Sequence, residues 1–136
     1  MIYHCIRFTI RPDVPQETVD AIVAGMSAQS STSDSSGLFG RDIGGDYQFG
    51  AVSSFESLEQ YEAMMNDPEH LEMDRMGLPL ISRFVSFDIV DDFDPAVMEE
   101  INQIHQRRFE AHPDLVELID TLDEYQGSAA PGKHAR

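Results

Sequence analysis

Apolar and polar positions alternate cleanly through the opening segment IYHCIRFTI. Ile2, His4, Ile6, Phe8 and Ile10 fall on one face, and Tyr3, Cys5, Arg7 and Thr9 on the other. A period of two predicts a strand with one strongly apolar face. After RPDVP the period changes: Val19, Ile22, Val23 and Met26 recur at i, i+3, i+4 and i+7, and Pro15 suits a first helical turn. That spacing predicts an amphipathic helix of about four turns. QSSTSDSSG, residues 29 to 37, is polar throughout and reads as a mobile loop. LFGRDI and YQFGAVSSF flank the turn GGD and read as a hairpin.

Ser57 with Gln60 three residues on forms a capping box and opens a short helix that buries Leu58, Tyr61, Met64 and Met65. In NDPEH, Asp67 is a good N-cap, Pro68 fits the first helical position, and His70 lands inside the first turn of a second helix. Gly77 and Pro79 end that helix, and RFVSFDIV returns as a strand with Val85, Phe87 and Ile89 on one side. The order βαββααβ predicts an α+β, ferredoxin-like, antiparallel four-stranded sheet with helices on one face. The second face, expected to hold Tyr3, Cys5, Arg7, Phe84 and Val90, is too apolar to stand in water, which predicts a homodimer through it.

Residues 1–92 form the expected domain. Beyond it, Asp94 and Pro95 open a helix carrying Val97, Ile101, Ile104 and Phe109, and Pro113 opens another with Leu115, Leu118, Ile119 and Leu122. Residues 93–126 are thus a helical extension that would embrace the partner, close over a pocket or recruit another protein. The small and polar residues of 127–136 predict a disordered end.

Charge narrows the partners. The chain has 25 acidic against 9 basic residues, a net charge of −16, and Lys133 is its one lysine. Such a surface repels phosphate backbones and anionic headgroups, so neither nucleic acid nor membrane is expected as a partner. The opening segment has neither the basic start nor the cleavage site of a signal peptide, so a cytoplasmic location is expected. A single cysteine, Cys5, allows no intrachain disulfide. His105, His112 and His134 lack metal-site spacing, and nucleotide loops and nucleophile elbows are absent. No metal or cofactor is expected.

The segments MIYHCIRFTIRPD, GRDIGGDYQFGAVSSFESLEQYEAM, DPEH and FVSFDIV, in that order, resemble the stress-responsive dimeric α/β barrel family (Dabb) over residues 1 to about 92. The resemblance implies a dimeric α/β barrel with a small-molecule pocket between sheet and helices in each protomer. Within the family, FES at Phe55 to Ser57 and DPEH are similar to the olivetolic acid cyclase-type polyketide cyclases. That similarity puts His70 in the place of a catalytic histidine and His4 in the place of a pocket histidine. The cyclases' catalytic tyrosine falls at Met64, and a further pocket histidine at Phe49.

A helix N-terminus disfavours an imidazolium, which suits His70 to accepting a proton from a carbon next to a carbonyl. Tyr61, on the helical face of Met64, is the expected oxyanion donor. Tyr47, in the strand phase of Phe49, is a second candidate. Ile6, Phe8, Phe49, Met64 and Tyr47 are the expected pocket residues, for a small hydrophobic or aromatic molecule. The leading expectation is a cofactor-independent cyclase or lyase acting on a small, partly aromatic, polyketide-like substrate, with His70 as base and His4 as orienting or polarising group. The alternatives are a non-catalytic small-ligand stress protein and a cofactor-free oxygenase of the same barrel type.

Overall fold

A computed structural model describes residues 1–32 and 37–136. Its elements are β1 (Ile2–Ile10), α1 (Gln16–Thr32), β2 (Gly37–Arg41), β3 (Phe49–Phe55), α2 (Leu58–Met65), α3 (Pro68–Gly77), β4 (Ile81–Val90), α4 (Pro95–Ala111), α5 (Pro113–Asp120) and β5 (Glu124–Gln126). The helix starts follow from capping: the Ser57 hydroxyl accepts from the Gln60 N–H, and Asp67 accepts from the N–H groups of Glu69 and His70 at 2.8 and 3.4 Å. Asn66 and Asp67 separate α2 from α3.

The sheet order is β2-β3-β1-β4-β5, with β1 antiparallel to both β3 and β4. This is the ferredoxin-like α+β arrangement, and it carries a fifth strand that the sequence pattern did not predict. β5 comes from the extension and lies parallel to β4, pairing Phe84 with Tyr125. Three residues are too few to show a period of two.

Two local expectations change. The polar stretch 29–37 is not all loop, since Gln29 to Thr32 continue α1 and Gly37 begins β2; residues 33–36 lie outside the described residues. With no proline or glycine from Gln29 to Thr32, polar composition alone does not stop a helix. The strand expected from Tyr47 starts instead at Phe49, and Gly44, at φ +104°, supplies a backbone turn that few other residues adopt.

The faces of β4 are also exchanged. Register pairs Tyr3 with Ile89, Cys5 with Phe87 and Arg7 with Val85, whereas Phe84 and Val90 lie opposite Phe8 and Ile2 on the helix-covered face. Counting apolar residues favoured the opposite phase for β4; its pairing with β1 decides. The second face therefore holds Tyr3, Val52, Phe87 and Ile89, exposed by 39, 39, 40 and 59%.

The extension packs on its own protomer. Ile101 and Ile104 of α4 join Ile2, Phe55, Tyr61 and Met65, and α5 brings Leu115 and Ile119 to Leu71, Leu78, Phe109, Leu122 and Tyr125. Arg107 bonds Glu62 at 2.9 Å and Arg75 bonds Asp114 at 2.7 Å across the junction. Residues 127–136, expected as a disordered end, fold back: the Lys133 N–H donates to Asp120 at 2.9 Å and the His134 ring lies 6.0 Å from that of Tyr125.

These contacts make the extension part of the core. Truncation after Asp92 should abolish cooperative thermal unfolding, and Ile104→Ala alone should cost roughly 2–5 kcal/mol in urea titration, the usual range for emptying a buried aliphatic site. An unchanged melting transition in the truncated chain would show that the first 92 residues need no extension.

Candidate functional site

No side chain of α1 from Gln16 to Ser30 is fully buried; Val19, Ile22, Val23 and Met26 are half-buried, and Ile22 and Met26 face the cavity. The helix stands off the sheet and leaves a cavity of about 590 Å³. Protein interiors are otherwise close-packed, so a space of this size walled by Ile6, Phe8, Phe39, Phe84, Met26 and Met73 has the character of a ligand pocket. α3, α4 and α5 close its other sides, and its polar wall groups include His4, His70, Asp74, His105 and Arg108.

One polar network lies behind His4. Register sets Asp88 directly opposite His4, and the Asp88 carboxylate lies 2.8 Å from His4 Nδ1 and 2.9 Å from the Tyr61 hydroxyl. Tyr61 Oη is in turn 2.6 Å from His105 Nε2. An ionised carboxylate only accepts, so His4 Nδ1–H and the Tyr61 O–H both donate to Asp88, and the Tyr61 oxygen accepts from His105 Nε2–H. Burial first, and then the neighbouring His4, push the His105 imidazole down to about 4, so it is neutral. Burial and the neighbouring Asp88 raise the Tyr61 phenol and keep it protonated. His4 Nε2 has no hydrogen-bond partner among the described residues, on a ring that lines the cavity.

A second group sits one helical turn further along α4. Arg108 donates from Nε to the Met65 carbonyl at 2.9 Å and pairs through Nη2 with Asp74, which also lies 3.5 Å from His70 Nε2. Burial would raise the Asp74 carboxyl, but His70 and Arg108 beside it hold it below the usual carboxylate range.

The expected site residues therefore divide. His4, His70, Ile6, Phe8 and Met64 all line the cavity. Tyr61 is fully buried and gives its hydroxyl to the Asp88–His105 network, so it is no oxyanion donor to the cavity. Phe49 packs on Phe8 and Phe39, with ring centroids 5.6 and 5.9 Å apart, and is not a wall residue. Tyr47 lies away from the cavity, its ring 4.9 Å from the Arg7 guanidinium and 4.7 Å from that of Arg83. Asp88, Asp74, His105 and Arg108 were not among the expected site residues. The signal for two of them was present: His105 and Arg108 interrupt the apolar stripe of Ile101, Ile104 and Phe109, where unpaired polar groups are costly.

Among the described residues no helix is long and apolar enough to cross a membrane, and no group of three or more histidine, cysteine or acidic side chains could hold a metal ion. The Stress responsive A/B Barrel Domain (Dabb) family model matches residues 2–91. No curated protein matches the chain. Among solved structures, the chain is similar to a Dabb family protein with a ferredoxin-like fold from Mesorhizobium loti, with 21% identity, 67% of this chain and 96% of that one covered, and TM-score 0.60. A dimeric ferredoxin-like protein of unknown function from Thermobifida fusca has 20% identity, 65 and 89% coverage, and TM-score 0.57. A hydroxynitrile lyase from Passiflora edulis has 17% identity, 68 and 95% coverage, and TM-score 0.57. At these identities the likeness is one of fold.

The buried neutral His105 sets a pH dependence. Its folded-state value of about 4 lies below the ordinary 6.5, so between those values the unfolded chain binds the extra proton. Its contribution to stability should be complete above pH 6.5 and fall as pH drops toward 4, by on the order of 3 kcal/mol. Urea titrations at pH 7 and pH 4.5 should show the loss, and His105→Gln should flatten this part of the slope. An equal acid-side slope in the variant would assign the effect to other groups.

Proposed function

Since the chain belongs to the Stress responsive A/B Barrel Domain (Dabb) family, we propose that its cavity is the active site of a cofactor-independent lyase or cyclase working by proton transfer, with His4 as the base. The observation that carries this reading is the 2.8 Å bond from His4 Nδ1 to the buried Asp88, which leaves Nε2 to the cavity. In the reaction His4 Nε2 takes a proton from a C–H next to a carbonyl, or from the hydroxyl of an adduct about to cleave. Asp88 stabilises the imidazolium without itself taking the proton, and the proton then returns to the product or leaving group. His70, to which the sequence assigns the base, is less firmly held: it lies 3.5 Å from an Asp74 already paired with Arg108. It serves better as a second polar group shaping the ligand's pose. The walls of aromatic and methionine side chains favour a small apolar or aromatic substrate.

The exposed sheet face carrying Tyr3, Val52, Phe87 and Ile89 supports a homodimer, as does the description of the Thermobifida fusca protein as dimeric. Light scattering at micromolar concentration should give twice the monomer mass, and a monomer mass would refute this face as an interface.

Deuterium exchange tests the base without knowledge of the natural substrate. The protein should accelerate exchange of the acidic C–H of small β-dicarbonyl compounds in D2O. His4→Asn, which keeps a donor for Asp88 but removes the proton acceptor, should reduce that rate by ~100-fold or more with ligand binding retained. His70→Asn should change binding more than rate. Full exchange in the His4 variant would sink the assignment, and binding without exchange in the wild type would favour the small-ligand carrier.

A further inference from the structure

With Tyr61 sealed between Asp88 and His105, the cavity needs another donor for any anionic oxygen. Arg108 is placed to supply it. Its side chain is 7% exposed and forms part of the cavity wall. Nε is used by the Met65 carbonyl and Nη2 by Asp74. Nη1 has no hydrogen-bond partner among the described residues, and it is not among their sealed-off unpaired polar atoms. A guanidinium stays charged and carries donors on all three nitrogens, so an N–H pair without an acceptor at the wall of a largely apolar space is unfavourable until a ligand supplies one.

We infer that the cavity takes a small apolar or aromatic monocarboxylate, held by Arg108 Nη1, with its hydrocarbon body toward Phe8, Phe39, Ile22 and Met26. The inference rests on the same cavity as the proposed reaction but not on turnover. Asp74 keeps Arg108 neutralised when the site is empty, and its bond to Nη2 fixes the plane of the fork so that Nη1 is preset. A carboxylate then adds a bond in which donor and acceptor are both ionised, stronger than the one a neutral amide oxygen can accept from the same guanidinium. On a chain of net charge −16 such a ligand is held only where a fixed cation is available. Arg108 lies in the extension, outside the matched family region, so this specificity is a property of the extended chain.

Calorimetric titration with benzoate and hexanoate against benzamide and hexanamide tests it. In the wild-type protein the acids should bind about tenfold or more tightly than the amides. In the Arg108→Gln, Asp74→Asn double variant, which leaves no lone buried charge, the preference should vanish. His4→Asn should keep it, which separates this site from the proposed base. Acid-selective binding in a wild type that exchanges no deuterium supports the anion site while removing the enzyme reading. Equal binding of acids and amides, no binding of either acid at millimolar concentration, or an acid preference that survives in the folded double variant would each overturn the inference.

Discussion

The carboxylate of Asp88 is the point from which the cavity's architecture follows. A carboxylate with only 7% of its side chain exposed is tolerated only with its lone pairs filled, and the partners come from three separate parts of the chain: His4 from β1 directly, Tyr61 from α2, and His105 from α4 through Tyr61. Sheet, crossover helices and extension are thereby tied at one buried position. The same bonds fix the imidazole of His4 in one tautomer. In the proposed reaction structural and chemical roles coincide at this residue, because the bond that satisfies the carboxylate also leaves His4 Nε2 toward the cavity.

The extension does in this protomer what a wall does rather than what an arm does. Without α4 and α5 the apolar groups around Tyr61 and Leu71 would face water, and the cavity would lose His105, Arg108, Leu115 and Ile119 from its lining. α1 contributes oppositely. It spans the sheet yet buries no side chain fully between Gln16 and Ser30, so the apolar area that would normally hold it down remains free for a ligand to complete. Binding in the cavity and docking of α1 therefore draw on the same surface.

What could be read from sequence was what depends on near neighbours. The period of β1, the Ser57 and Asp67 caps, and the position of His70 behind Pro68 are local, and the structure has all of them. What failed depended on pairing across the sheet. Both phases of β4 look apolar, and only its register against β1 puts Asp88 beneath His4 and turns Phe87 and Ile89 outward. The helical position of Tyr61 is legible in the local pattern, but the partners of its hydroxyl, Asp88 and His105, lie 27 and 44 residues away and leave no local signal. β5 is not legible, because three residues have no pattern of their own.

Charge also separates outside from inside. The surface carries most of a −16 net charge, while the cavity wall collects His4, His70, His105 and Arg108 against Asp74. Over distances beyond roughly 10 Å, salt screens the surface, but the cavity groups act within a few ångströms. A small anion thus meets repulsion on approach and a fixed donor only inside, so selection is made at the Arg108 end of the pocket and not at its mouth. A neutral apolar molecule meets neither. The pocket can hold both kinds, and the difference between them rests on a single guanidinium whose geometry Asp74 has already set.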